Sequence, residues 1–449
     1  MSGATKQQRP GPEEQPEAGP ADDPRAALLI RYIGAFAPVV IESAEGSWLR
    51  TKSGRRILDF ASGQICSTLG HRNARIVDAL REALDTVIHL DSKMLSEPVL
   101  QLAARLAKSL PETLNRSIFV STGAEANEVA LKLAKTYTGK FEVVGVARSF
   151  HGVAGGVASY TFLPARRGYG PLLPGAHAIP APYAYRCPIR HCANACDMTC
   201  LETGFEQVDQ ASVGSLAAFI VEPVLSSGGV IVPPDGYLRR AKELCDERDM
   251  LLIVDESQTG LGRLGSVYGF EHDDVVPDIV VLSKTLGGGV PLAATVTTAA
   301  IEQRCAAQGF SHVTSHVSDP LPAAAGLAVL DHVEEDKLHE RAAALGHYLM
   351  TALTALRQKH DCVGDVRGRG LLIGVEFVES QESLAPAYGM AAQVAALCLE
   401  RGLSVHAIPT GKRAHCLRIA PPLTISRKDI DVAIETLDRS IGDVLRGWA

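Results

Sequence analysis

The sequence predicts an α/β fold, with a large domain built on a mostly parallel central sheet and a smaller α+β domain beside it. Three observations predict it. Between residues 115 and 300, short apolar runs alternate with helical patterns. Those runs are apolar at successive positions, as strands covered on both faces must be. Beyond residue 320 the pattern changes to long helical stretches with short strands. A chain of 449 residues, 46% hydrophobic and 21% charged, has the apolar content for such a core.

Residues 1–24 are rich in Pro, Gly, Gln and Glu, a composition that cannot offset its ordering entropy, so a disordered tail is expected. An amphipathic helix is expected from Ala26 to Phe36. A hairpin of Val39–Ile41, Trp48–Arg50 and Ile57–Phe60 follows, with a turn at Lys52–Arg55. Helical spacing appears at 73–88 and 97–109. Strands are expected at Ser117–Val120, Glu142–Val146, Ala217–Val221, Leu251–Val254 and Ile279–Leu282, and helices at Ala124–Tyr137 and Tyr237–Arg248. A helical stretch from 320 to 357 breaks near Glu335 and Asp336. Strands at Gly370–Glu376 and Cys416–Ala420 and helices at 388–401 and 427–446 complete the chain. We divide it into a tail (1–24), an N-terminal segment joining the small domain (25–80), a large domain (81–325) and a C-terminal small domain (326–449).

The net charge of −7 leaves no basic footprint for nucleic acid. No apolar stretch reaches the roughly 18–20 residues of a membrane span, and the N-terminus lacks the basic-then-apolar order of a secretory signal. A soluble, cytoplasmic protein that binds neither nucleic acid nor membrane is expected. Four of the ten cysteines cluster at Cys187, Cys192, Cys196 and Cys200, with His191 among them. Their spacing departs from the paired C-x2-C units of common zinc sites. Metal or disulfide chemistry is one reading; we take the other, a cysteine-rich surface loop in a reducing compartment.

Lys284 lies just past the Ile279–Leu282 run and is followed by Gly287-Gly288-Gly289. A desolvated lysine loses its proton more readily, and its amine then condenses with an aldehyde. Asp255 ends another apolar run. An amine for an aldehyde and a carboxylate for a pyridinium nitrogen are the two protein groups a pyridoxal 5'-phosphate site requires. In open α/β sheets ligands bind beyond the carboxyl ends of the strands, where both residues fall.

Other segments extend this constellation. Thr122-Gly123-Ala124 follows a strand and opens a helix, a turn that attracts phosphate through free N–H groups, although an ordinary N-cap reads the same. Phe150-His151 follows a second strand, and the aromatic ring either stacks on a flat cofactor or packs in the core. Glu222 ends a third strand near the same crevice. Gln258 is placed to donate to a ring oxygen. Arg418, inside an apolar strand, needs a partner. Its planar fork matches a substrate carboxylate, or else an internal acid.

The chain resembles the class III, fold-type I aminotransferase family from about residue 30 to 445. Phe60–Gln64, the 121–127 turn, Glu222–Gly229, Gln258–Gly260, Ser283–Gly287, His316–Pro322 and Arg418–Thr424 carry the resemblance. Gln64 and the His316–Pro322 run resemble its 2,2-dialkylglycine decarboxylase branch. That resemblance implies a decarboxylating transamination. CO2 leaves an amino acid whose carboxylate Gln64 holds upright, Lys284 delivers a proton, and a 2-oxo acid such as pyruvate takes the amino group. Ser227 and Arg418 join Gln64 in binding substrate. The resemblance also implies an alkali-metal ion, K+ or Na+, on Leu90, Ser92, Ser315, Val317 and Asp319. It implies a homodimer or homotetramer as well, with Ser315 or Thr314 touching a neighbouring subunit's phosphate. Phe150, Val153 and Val313 depart from the tryptophan, methionine and tyrosine of that branch. The alternatives are a plain aminotransferase, in which Lys284 removes the Cα proton, and a phospho-amine lyase.

Overall fold

The computed structural model describes residues 24–32, 36–163, 166, 168, 170–189, 192, 196–408 and 414–448. The expected tail lies outside them, save for Pro24. Near the N-terminus three short strands, β1 (Ile41–Glu45), β2 (Trp48–Thr51) and β3 (Arg56–Asp59), form an antiparallel meander. The central sheet has seven strands: β4 (Leu114–Val120), β5 (Glu142–Val146), β6 (Ala176–Ile179), β7 (Leu216–Val221), β8 (Leu251–Asp255), β9 (Ile279–Leu282) and β10 (Ala293–Thr298). Their order is β4-β10-β9-β8-β7-β5-β6. Pairing is parallel from β9 through β8, β7 and β5 to β6, and β10 runs antiparallel to both its neighbours. Every residue of β5, β7, β8 and β9 is buried, which explains their unbroken apolar sequences.

Two further strands, β11 (Val363–Arg369) and β12 (Leu372–Phe377), form a hairpin. Beyond them, β13 (Leu403–Ser404) pairs in parallel with β3, while β14 (His406–Ile408) and β15 (Cys416–Ile419) complete a sheet ordered β11-β12-β15-β14. The N-terminal meander is thus closed by a strand from the far end of the chain. The helices Pro320–Glu335 and Leu338–Lys359 meet at Asp336 and Lys337, and Lys337 adopts a left-handed φ of 47° that reverses the chain.

Local signals set the element ends that matter for the site. The helix Gly123–Thr138 starts where Thr122 Oγ1 accepts the Glu125 N–H at 3.2 Å, and ends at Gly139 with φ 68°. Its buried face, Ala126, Val129, Ala130, Leu133 and Ala134, covers the central sheet.

Three expectations need correction. Of the helix expected at 26–36, residues 33–35 lie outside the described residues, and among the described ones only a short 3-10 turn, Pro24–Leu28, forms. Leu28, Ile30 and Tyr32 are exposed, so no apolar face is buried to hold a longer helix in place. The strand expected at Gly370–Glu376 is the second arm of a hairpin. Gly370, at φ 52°, forms its turn, and the first arm reads as too polar to notice. The first strand starts at Ile41, where the expected one ended, and continues to Glu45. The strand β10 was not anticipated at all, because Thr295, Thr297 and Thr298 dilute its apolar pattern. In the fold two of these hydroxyls are satisfied, Thr295 by Ala126 O at 2.7 Å and Thr297 by Asp278 O at 2.9 Å.

Candidate active site

Five strands of the central sheet bring their carboxyl ends to one edge, and each ends at or shortly before a residue singled out in the sequence. Asp255 is the last residue of β8 and is 3% exposed. Its Oδ2 accepts from Asn127 Nδ2 and from His151 Nδ1, each at 2.8 Å, and its Oδ1 accepts the Ser257 N–H at 3.0 Å. Burial alone would raise this carboxyl. The His151 imidazole and Ser257 outweigh it and hold Asp255 below its ordinary range, so it stays charged.

Lys284 follows β9 after Ser283, with a left-handed φ of 46°. Such backbone is strained in a residue with a Cβ, and it aims the side chain away from the path of the strand. Lys284 as a residue is half-buried. The surrounding protein nevertheless desolvates it and lowers its pKa, while Asp255 acts in the opposite direction. Glu222, directly after β7, accepts the Phe150 N–H at 2.9 Å and the Ser226 N–H at 3.4 Å. Burial pushes its carboxyl up to about 7 despite the nearby His151.

Beyond β4, Thr122 caps the helix, as the bland reading held. The Ala126 N–H bonds the Thr122 carbonyl at 3.0 Å. No acceptor is found among the described residues for the N–H groups of Gly123 and Ala124. A Cβ on Gly123 would lie 2.7 Å from Ser283 Oγ and 3.1 Å from Ser257 Oγ, so two hydroxyls and a helix N-terminus converge on this turn. Ser257 Oγ is buried without a partner, and so is His151 Nε2.

Arg418 on β15 reaches the same crevice from the other sheet and is 5% exposed. Its partners among the described residues are neutral: Ser226 Oγ at 3.2 Å, Gln258 Oε1 at 2.9 Å, His406 Nδ1 at 3.2 Å and Gln64 Oε1 at 3.5 Å. Burial lowers its pKa to about 10, with Glu222 opposing. The internal ion pair weighed for Arg418 is therefore absent among the described residues. Gln258 bridges Arg418 to Ser227, donating from Nε2 to Ser227 Oγ at 3.3 Å. Gln64 sits in a stretch with positive φ at Ser62, Gly63, Gln64 and Ile65. The Asp59 carboxylate holds that turn by accepting the N–H groups of Ala61 and Gly63 at 3.0 and 2.8 Å.

The residues named for an alkali-metal ion lie on two segments in contact. The Asp319 carboxylate accepts from His89 Nδ1 and from His316 Nδ1, each at 2.6 Å. Leu90 and Val317 are half-buried, Ser92 likewise, and Ser315 is exposed. Sequence reasoning missed Asn127, Ser226, Ser257, Ser283 and His406. Asn127, Ser226 and Ser283 sit inside segments quoted for other reasons, and Ser257 lies between Asp255 and Gln258.

These groups fit pyridoxal 5'-phosphate. The unpartnered Ser257 hydroxyl and the open N–H groups at Gly123 and Ala124 suit a phosphate, Asp255 suits a pyridinium nitrogen, and Lys284 suits an aldehyde.

Comparison with known proteins agrees. A family model described as aminotransferase class-III matches residues 34–441. An uncharacterized aminotransferase of Schizosaccharomyces pombe is 45% identical over 414 residues, covering 92% of each chain. A leucine/methionine racemase of Thermococcus litoralis is 35% identical, again over 92% of each chain. The crystal structure of an (S)-enantioselective omega-transaminase from Thermomicrobium roseum superposes with a TM-score of 0.84 at 33% identity, over 91% of this chain and 93% of that one.

Proposed function

We propose, from the premise that this chain belongs to the class-III aminotransferase family and uses pyridoxal 5'-phosphate, that it transfers an amino group from an amino acid to a 2-oxo acid by breaking the Cα–H bond. The observation that carries the reading is Arg418: a buried guanidinium with only neutral partners among the described residues, opening on the crevice of Lys284.

When bound, the cofactor joins an amine through its aldehyde carbon and draws electron density away from Cα. The protein does the rest. Asp255, kept anionic by His151, Asn127 and Ser257, would hold a negative charge for the ring nitrogen. Gly123, Ala124, Ser257 and Ser283 would hold the phosphate, and Phe150 and His151 would line the ring's site. Arg418 grips the substrate carboxylate, with Ser227 and Gln258 fixing its orientation. A carboxylate held by Arg418 would stay fixed there, and the Cα–H bond would be the one presented to Lys284. The Lys284 amine, its pKa lowered by desolvation, accepts that proton and returns it.

The decarboxylating reading rests on Gln64 as a second carboxylate holder. Gln64 Oε1 faces Arg418 at 3.5 Å, which favours one carboxylate position rather than two. The relatives' names point the same way, since a racemase also has to break Cα–H. A phosphate-bearing amine as substrate is less well matched, because Arg418, Gln64 and Ser227 suit a carboxylate.

Three secondary elements belong to the proposal. A K+ or Na+ ion on Leu90, Ser92, Ser315, Val317 and Asp319 is supported by the contact between the two segments, and the histidines on Asp319 must turn aside to admit it. A homodimer is supported by exposed Ile88, Met94, Leu95 and Val313. The joining of residues 25–80 to the C-terminal domain is supported by the β3–β13 pairing.

The test is to supply the holoenzyme with a panel of amino acids, 2-aminoisobutyrate among them, and pyruvate, and to measure alanine and CO2 together. Alanine formed without CO2 from an amino acid bearing a Cα–H is expected. Alanine formed only from 2-aminoisobutyrate, with equimolar CO2, would replace this reading with the decarboxylating one.

A further inference from the structure

Position 406 faces Arg418 across two neighbouring strands. β14 and β15 run antiparallel with His406 directly opposite Arg418, so the register alone puts both side chains on one face of the sheet. Their ends meet there, with Arg418 Nη2 3.2 Å from His406 Nδ1. A guanidinium has only N–H donors, so Nδ1 is the acceptor. The imidazole is therefore neutral and carries its one proton on Nε2. Half-buried beside a permanent cation, it stays so: burial, then Arg418, pushes its pKa down to about 4.

A carboxylate at position 406 would serve the fold better. A buried guanidinium without an opposite charge is costly, and Arg418 is buried with four neutral acceptors among the described residues. Ser226 and Gln258 hold its Nη1, at 3.2 and 2.9 Å. On Nη2 the His406 contact is the shorter, since Gln64 Oε1 lies at 3.5 Å. His406 thus fixes the second arm of the fork and leaves the charge of the fork uncancelled.

We propose that, given the carboxylate-binding role read for Arg418, His406 is a positioning residue that sets substrate specificity: its unprotonated Nδ1 orients the guanidinium without neutralising it, and so reserves it for a carboxylate-bearing amino donor. The selection of amino acids over amines is then fixed at position 406, by a neutral acceptor standing where an acid would close the site. An acid there would form an internal ion pair, and a substrate carboxylate would have to displace it.

The test compares holoenzyme variants on an α-amino acid and on the amine that lacks only its carboxylate, with pyruvate as acceptor. The readout is the ratio of the two kcat/KM values. His406→Leu removes the acceptor and should lower the ratio about 10-fold, through KM for the amino acid rather than kcat. His406→Asn brings an amide oxygen near the place of Nδ1 and should restore the ratio to within about threefold of wild type. His406→Glu supplies the missing acid and should lower the ratio about 100-fold. Absorbance of bound pyridoxal phosphate checks that each variant is folded, and Arg418→Ala is measured beside them. A fallen ratio in Arg418→Ala with none in His406→Glu overturns the proposal and leaves Arg418 as the carboxylate anchor. An unchanged ratio in both removes that anchor and the proposal with it. A ratio in His406→Asn as low as in His406→Leu, or loss of bound cofactor from all three His406 variants, would make the residue a structural one and overturn the proposal as well.

Discussion

At the scale of single residues, the account turns on charges placed in low dielectric and on what neutralises each of them. Asp255 keeps its charge because three donors surround it, and Lys284 sheds its proton more easily because the protein desolvates it. Among the described residues Arg418 is left without an acid partner, and in the function we propose the substrate carboxylate supplies one. Removing a hydrogen bond to a charged group costs about 1.5–3 kcal/mol. Arg418→Ala should therefore lower kcat/KM for α-amino acids roughly 10- to 150-fold, chiefly through KM, and leave amines without a carboxylate within about threefold. Steady-state kinetics on a matched pair of such donors checks this, and an equal loss on both would remove Arg418 from carboxylate recognition. Lys284 and Asp255 were legible in the sequence because each ends a run of buried-strand residues. Asn127 and Ser257 were not legible, since a polar residue in a helix or turn looks the same whether it faces solvent or a neighbouring strand's carboxylate.

At the scale of elements, the strand–turn–helix unit from β4 into Gly123–Thr138 makes the anion site we propose, and its glycine is fixed by crowding rather than by dihedral angle. A methyl at Gly123 would meet Ser283 Oγ at 2.7 Å, inside contact distance, and must displace either that hydroxyl or the phosphate. Gly123→Ala should weaken pyridoxal phosphate binding by about tenfold, equivalent to about 1.4 kcal/mol. Titration of the apoprotein followed by cofactor absorbance reads this directly, and unchanged affinity would move the phosphate away from the turn. The buried parallel strands and the helix break near Asp336 were readable from periodicity. The antiparallel β10 and the first arm of the β11–β12 hairpin were not, because their threonines, arginines and glycines find partners only in the folded sheet.

At the scale of the whole molecule, the fold binds a remote strand to the N-terminal meander and carries buried acids in its centre. Glu256 accepts from Thr259 Oγ1 at 2.5 Å and from the Phe270 N–H at 2.9 Å, and burial pushes its carboxyl up to about 7 from 4.5. The sign follows from proton counting. Between those values the folded chain holds a proton that the unfolded chain releases. Its stabilisation is complete below the unfolded value and is lost as pH rises through about 7. Glu256→Gln keeps an amide in place of the acid and removes that titration. Between pH 5 and pH 8 the wild type should lose about 1–3 kcal/mol more stability than the variant, by denaturant melts at each pH. Parallel pH profiles would show that Glu256 ionises normally.

The central claim is that Lys284 takes a proton from Cα while the carboxylate stays in place. Holoenzyme and its Lys284→Ala variant, given an α-amino acid in D2O without a 2-oxo acid, test it most directly. Mass spectrometry of the recovered amino acid should show deuterium at Cα with the wild type, none with the variant, and no CO2 from either. Release of CO2 without Cα exchange, or exchange that survives loss of Lys284, would contradict the account.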